Sequence, residues 1–507
     1  MIDTGAPVGL HTPPQVLSME EYHTRWRPQG WKLIIIGPTA TWRQEWGTWE
    51  AIREIVQNAL DETESYEWGY DRQGLWISDQ GQGVVVRDFL LGPPKLKPGH
   101  ARGKFGEGMK IGALALIRDG WPIKVETMGR ELWVIFIEQP VNGKAETLAA
   151  LWRPNGRPLG TVFRIIGYTG TAFEDRFAVN LPRASIIQEA PSLLHEPLNR
   201  FNQLISHPFP GDTSRVFARD IYMSDIKSPY SYNLWSFDMA PDRHAPKYEP
   251  DMWMDMGRLW TYVREAAHLE RFLKMVCDPP LAVSAESYSI NMDPWGMGNI
   301  PELNARYADN VKHNADRWEK AWEKVFGENA VIRTSSGLDG TVKHLGYTSF
   351  SLQHTVRGTL SLAITTDEDL IRASQARLRE VEIIPDHQLT SRAFNHLALA
   401  RAITHSIIRH GRRVSGVHAA IIPPASDRVR TAGMYSRTTQ EIYISLEQLE
   451  GARATVDTVI HEIAHHTSRA EDGEKVHNAE MTAIAARVVE LTARREFDEQ
   501  LKKAIWL

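Results

Sequence analysis

The chain has 507 residues, 42% of them hydrophobic and 24% charged, a composition that excludes a disordered or fibrous protein and a length that calls for about two to four domains. A formal net charge of -5 supplies no general attraction to nucleic acid or to an anionic membrane. The single cysteine, Cys277, excludes a disulfide framework and a cysteine-built zinc site, leaves His, Asp and Glu as the only metal ligands, and fits a reducing cytoplasm.

Residues 1–30 are rich in Pro, Gly and Thr without a sustained period and read as an N-terminal arm; they lack the basic flank and apolar run of a secretory signal, so no export is expected. The longest apolar run, in WKLIIIG, is far shorter than the roughly 20 residues that cross a bilayer and reads as a buried strand. A helix through EWGTWEAIREIVQNALDE follows, then strand GLWISD, a Gly-rich loop, and a second Gly-rich loop that opens a helix at KIGALALI. Strands are expected in PIKVETM, ELWVIFIEQ and GTVFRII. The pattern is then mixed and rich in Trp and Tyr to about residue 330, with MWMDMGRLWTYVREAAHLERFLKMV reading as one amphipathic helix whose tryptophans serve core or interface. Helix SRAFNHLALARAITHSIIRH, strand VHAAII, a hairpin around GMYSRTTQEIYISL and two final helices complete the chain. The expectation is an α+β multidomain protein: arm 1–30, a first domain 31–167, a middle region 168–330 and a mainly helical domain with a small sheet over 331–507.

On the first helix, Glu54, Asn58 and Asp61 fall within a stripe about 60° wide, opposite Ile52, Ile55, Val56, Ala59 and Leu60. Asp79, Gly81 and Gly83 follow a strand directly, and Gly103, Gly106 and Gly108 lead into a helix whose free N–H groups and positive dipole end suit phosphate oxygens. Lys104 and Lys110 flank this second cluster, and lysines beside a surface loop are ordinarily solvated. In the order ExxxNxxD, DxGxG, GxxGxG and the pair Gly160–Thr161, residues 32–167 resemble the GHKL ATPases (gyrase, chaperone, kinase, mismatch repair) in all four nucleotide motifs. The resemblance implies a Bergerat-fold α/β sandwich that binds ATP and Mg2+. It implies Glu54 as the base that activates water, Asn58 as the magnesium ligand and Asp61 as support for that face. It further implies Asp79 as the reader of the adenine amino group, Gly81 and Gly83 as the walls of its pocket, Thr161 as a water-mediated adenine contact, and residues 92–108 as the lid. A homodimer through this domain is implied too. A histidine kinase needs a phospho-accepting helical domain ahead of the motif, and only about 50 residues precede it.

Near the other end, His461, Glu462 and His465 form HExxH. Two histidines four apart on a helix lie about 40° from each other, so both imidazoles reach one ion while Glu462 stands beside them to handle water. A catalytic zinc needs a third protein ligand. On the last helix, His477 lies one turn before Met481 on the apolar line with Ile484, Val488 and Leu491, which makes it the chosen ligand; Asp472 in the connecting loop is the runner-up and Glu480 a further candidate. His466 points to the apolar flank and reads as structural. Residues 415–495 resemble the zincin metallopeptidases, which implies Zn2+-assisted amide hydrolysis with Glu462 as general base and a protein or peptide substrate. Together the two sites suggest an ATP-regulated metallopeptidase. The rival reading is a mismatch-repair-like or chaperone-like ATPase switch with a non-proteolytic zinc module.

Overall fold

Apolar side chains in unbroken succession along ELWVIFIEQ put Leu132, Val134 and Phe136 on one face of a strand and Trp133, Ile135 and Ile137 on the other, so both faces need cover. The computed structural model describes residues 12–63, 66–84, 108–140, 144–154, 159–170, 173–191, 200–209, 213–240, 244–292, 301–408, 413–472, 474–504 and 506. The chain is mixed α+β and divides into two compact units, Met1–Asp255 and Met256–Leu507.

In the first unit, strand Arg130–Pro140 lies inside an antiparallel sheet ordered Lys32–Thr39, Lys144–Pro154, Arg130–Pro140, Ile123–Thr127, Thr161–Ile166, Gly74–Asp79 and Glu67–Asp71. Helices Thr48–Thr63 and Gly108–Arg118 cover one face, burying Ile52, Val56, Leu114 and Leu116 against Leu132, Val134, Phe136 and Phe163. Gly112 lets these helices meet closely, since a Cβ there would lie 3.1 Å from Ala51 Cα.

The other face is covered by the segment expected as an arm. Leu17, Trp26 and Trp31 pack on Trp133, Ile135 and Ile137, and Val16–Leu17 pairs in parallel with Phe136–Ile137. Its residues 1–11 lie outside the described set. WKLIIIG, expected as a buried strand, is an edge strand, Lys32–Thr39, paired with one neighbour among the described residues, and Ile35 is 43% exposed. An apolar run therefore marks a strand here without marking full burial.

A second sheet, ordered Ile221–Ile226, Ser214–Ala218, Ser231–Leu234, Phe201–Ile205 and Ile186–Pro191, packs within the same unit. Phe177 and Tyr222 meet Trp49 of the Thr48–Thr63 helix at ring-centroid distances of 5.5 and 6.4 Å.

The segment expected as one amphipathic helix is two, Glu249–Trp260 and Ala266–Val276. Amides of Thr261, Tyr262 and Val263 bond three residues back, and the Thr261 hydroxyl also donates to the Arg258 carbonyl, which closes the first helix in a tight turn ahead of the second. In the second unit Trp260 stacks on Phe272 at 4.5 Å, a core role for those aromatics.

The rest of that unit holds the small sheet Glu382–Ile384, Gly416–Ile421, Glu441–Ser445 and Gly433–Ser436, with helices Ser391–Ile407, Ala452–Ser468 and Lys475–Ala493 packed on one core around Leu397, Ile444, Val459, Ile463, Ile484 and Leu491. No described helix is long and apolar enough to cross a membrane.

Leu114 has no exposed surface between helix and sheet. Leu114→Ala is expected to destabilise the protein by about 2–5 kcal/mol in chemical denaturation; a loss below about 1 kcal/mol would mean that this face is not a packed core.

Candidate metal centre and candidate nucleotide site

Helix Ala452–Ser468 buries Val459, Ile463 and Ala464 and carries His461 and His465 one turn apart on another face. It ends at Arg469, which takes a left-handed conformation (φ 58°) while its amide donates to the His465 carbonyl at 3.1 Å. The chain then runs through Asp472 into helix Lys475–Ala493, whose first turn holds the buried His477.

Four ligand atoms, from His461, His465, Asp472 and His477, lie within 4.8 Å of one another. The His461 and His465 Nε2 atoms are 3.1 Å apart, and Asp472 Oδ1 is 2.9 Å from the first and 3.1 Å from the second. The His477 ring stacks on His465 at 4.1 Å between centroids, and its Nε2 is buried without a hydrogen-bond partner among the described residues. His465 Nδ1 donates to the Ala470 carbonyl at 2.9 Å, so its Nε2 is the nitrogen left to bind a metal or a proton.

An orphaned, buried imidazole nitrogen beside two others and a carboxylate is a donor set that fits a divalent cation of the zinc type. Of the third-ligand candidates, His477 and Asp472 both belong to the group. Glu480 is outside it.

The electrostatics follow from that proximity. Hydrogen bonds from His461 and His465 hold the Asp472 carboxyl far below the usual carboxylate range. Burial works to lower the His465 value, but Asp472 and the Ala470 carbonyl outweigh it and push it up to about 9. The bond to Asp472 raises His461 as well, while burial and then its two histidine neighbours lower His477.

Glu462 is buried on the side of the helix next to the edge strand Gly433–Ser436. Burial pushes its carboxyl up to about 7, against the pull of His461 and His465 and of a hydrogen bond from the Tyr435 amide. His466 is buried and shares a 2.8 Å hydrogen bond with the Tyr435 hydroxyl, so it ties the helix to the same strand.

In the first unit, Glu54 is buried in the middle of helix Thr48–Thr63, while Asn58 and Asp61 are half-buried. Glu54 lies against the N-terminus of helix Gly108–Arg118, where a Cβ on Gly108 would overlap its Oε2. Two turns on, Glu62 Oε1 accepts from the Gln82 amide at 3.2 Å, and a Cβ on Gly81 would overlap its side chain. One helix therefore touches both glycine clusters, at points about 12 Å apart along its axis.

Asp79 ends strand Gly74–Asp79, pairs with Thr161 across the sheet, and accepts from the Gly81 amide at 2.9 Å. Gly83 has φ +91°, and a Cβ there would lie 2.6 Å from Thr127 Oγ1. Lys110 is buried, unlike an ordinary lysine beside a loop. Gly103, Lys104, Gly106 and the expected lid up to residue 107 lie outside the described residues.

Two residues of this site are absent from the sequence reading. Thr127 is fully buried, with its hydroxyl 3.2 Å from that of Thr161 and accepting from the Val84 amide at 2.8 Å. Only the pairing of Thr127 with Thr161 reveals it, and no local pattern does. Glu62 had a signal, a carboxylate next to Asp61 at the end of the polar stripe, but nothing in the spacing aimed it at the Gly81 loop.

No family model matches the chain, and no curated protein matches it either.

Metal uptake must displace the proton that His465 shares with Asp472. A group raised from 6.5 to about 9 keeps that proton through neutral pH, so affinity should climb as pH rises across this interval and uptake should release protons. Zinc titration calorimetry in buffers of different ionisation enthalpy measures the release; a pH-independent affinity would exclude the shared proton.

Proposed function

We propose that the chain is an ATP-binding and ATP-hydrolysing protein whose nucleotide state regulates a C-terminal zinc-dependent peptidase acting on a protein or peptide in the cytoplasm. On this reading the large sheet with its two helices is a Bergerat-type sandwich that dimerises the protein, and the 331–507 region is a zincin-like domain. The observation that carries the proposal is the meeting of His461, His465 and His477 beside Glu462, a buried carboxyl pushed up to about 7.

Bound by those imidazoles, zinc would supply a water of lowered pKa and polarise the scissile carbonyl. Glu462 is suited to the proton traffic. Its value near neutrality lets it accept a proton from the attacking water and return it to the leaving amine at similar cost. Its burial excludes bulk water, and the Tyr435 amide holds the carboxylate in one orientation. Strand Gly433–Ser436 is at the edge of its sheet, and an extended peptide added along it would run beside Glu462.

For the nucleotide, the span of about 12 Å between the glycine clusters supports ATP lying along helix Thr48–Thr63. Its base would meet Asp79, Gly81 and Gly83, with Thr161 and Thr127 behind. Its phosphates would meet the start of helix Gly108–Arg118, with Asn58 toward Mg2+ and Glu54 toward the attacking water. Phosphoryl transfer asks mainly for such positioning and charge neutralisation.

One observation favours the rival, a mismatch-repair-like or chaperone-like ATPase switch with a non-proteolytic zinc module. Four protein groups converge, and structural zinc sites are closed by four. Such a site, however, has no use for a carboxyl held near neutral pKa beside it. Glu462→Gln separates the two: under the peptidase reading, cleavage of an unfolded protein falls by about 10²–10⁴-fold while bound zinc is unchanged. A variant that behaves like wild type supports the switch.

The nucleotide half has its own test. Labelled ATP should bind wild type and Glu54→Ala, whereas Gly108→Ala, whose Cβ would collide with the Glu54 side chain and push the start of helix Gly108–Arg118 and its phosphate-facing amides away, should bind at least about tenfold more weakly. Cleavage rates that are identical with ATP, without it and in Glu54→Ala would remove the regulatory claim.

A further inference from the structure

The metal centre holds one group more than a hydrolytic site requires, and that group is unlike the others. His461, His465 and His477 come from two helices that share a core, so their positions are set by packing. Asp472 stands on the connecting segment and is the most exposed of the four, with 40% of its side chain accessible. Its Oδ1 is nonetheless placed centrally, 2.9 and 3.1 Å from two imidazole nitrogens. Those separations approach the edge of about 3.3 Å expected between ligands of a tetrahedral ion with bonds of about 2.0 Å.

Besides its bonds to the histidines, the segment is tethered to the neighbouring hairpin by the Arg437 side chain. Arg437 Nη2 donates to the Arg469 carbonyl at 3.0 Å and to Glu471 Oε1 at 2.7 Å. Arg437 belongs to the turn between strands Gly433–Ser436 and Glu441–Ser445, immediately after the edge strand that passes Glu462. Its side chain and that of Glu471 are 56% and 63% exposed, and an ion pair so open to water is worth little and exchanges readily.

Resting on the peptidase reading above, we infer that Asp472 is an exchangeable fourth ligand: it occupies the coordination position that hydrolysis needs open, and Arg437 positions it there from the substrate-side hairpin. Three histidines retain the ion while Asp472 leaves. A peptide seated on the edge strand competes for the neighbourhood of Arg437, so docking and opening are linked through one exposed contact. The same arrangement makes the site closed and quiet when no substrate is present.

The test reads coordination directly, using Co2+ in place of zinc in the full-length protein and acetohydroxamate as a small probe that needs an open position. Wild type should take up Co2+ with a four-coordinate visible spectrum that the probe barely alters. Asp472→Ala should still take up Co2+, with a changed spectrum, and bind the probe at least about tenfold more tightly than wild type. Arg437→Ala, at an exposed position, should keep the Co2+ affinity of wild type and gain probe binding of intermediate strength, which a merely structural arginine would not give.

Failure of wild type to take up Co2+ overturns the metal reading itself. Equal probe binding by wild type and Asp472→Ala, or loss of Co2+ from a folded Asp472→Ala, overturns the exchange alone. Should Asp472→Ala not fold, Arg437→Ala decides: probe binding equal to that of wild type overturns the proposal.

Discussion

Three imidazoles held against one another in a partly dry pocket are not a neutral arrangement. The buried Nε2 of His477 has no hydrogen-bond partner among the described residues, and leaving such a group unsatisfied costs about 1–3 kcal/mol. His461 and His465 face each other across 3.1 Å, a distance that demands a shared proton, an anion or a cation between them. The two helices are locked by Ile463, Ile484 and Leu491, so the imidazoles cannot relax apart without opening that core. Asp472 and a metal are thus alternative and compatible answers to one electrostatic problem that the fold imposes.

The first unit shows a different constraint, backbone approach. At Gly108, Gly81 and Gly83 the space a Cβ would fill is already taken by Glu54, Glu62 and Thr127. Each glycine lets backbone come close to a polar side chain carried by a regular element. Gly83 adds a left-handed conformation that L side chains rarely adopt. Glycine spacing therefore carried more information here than helix or strand propensity.

What could be read in advance followed the regular elements. The HExxH spacing located two imidazoles because helical geometry is rigid, and the line of Met481, Ile484, Val488 and Leu491 traced back one turn to a histidine that the fold buries beside them. Asp472 stayed one choice among several because its position depends on the turn at Arg469, left-handed without the glycine that usually announces it. Thr127 was illegible because its partner lies 34 residues on and only strand register joins them. The break after Trp260 was hidden for another reason. The apolar period runs through it, and a turn stapled by three short-range backbone bonds and one hydroxyl leaves little trace in a pattern of hydrophobicity.

The placement of Glu462 links these arguments. Positive neighbours pull the Glu462 carboxyl down while burial drives it up, and the proposed role of general base depends on the balance of the two. The balance depends on how closely the edge strand covers it. At Gly433 a Cβ would come within 2.9 Å of Glu462 Oε1 and 2.5 Å of Thr458 Cγ2, so any side chain there would push the strand off the helix. Water would then reach the carboxylate and the Tyr435 amide would lose its hold. The close backbone approach that Gly433 permits is therefore what keeps Glu462 buried and its carboxyl raised toward neutrality, the property on which the proposed role of general base rests.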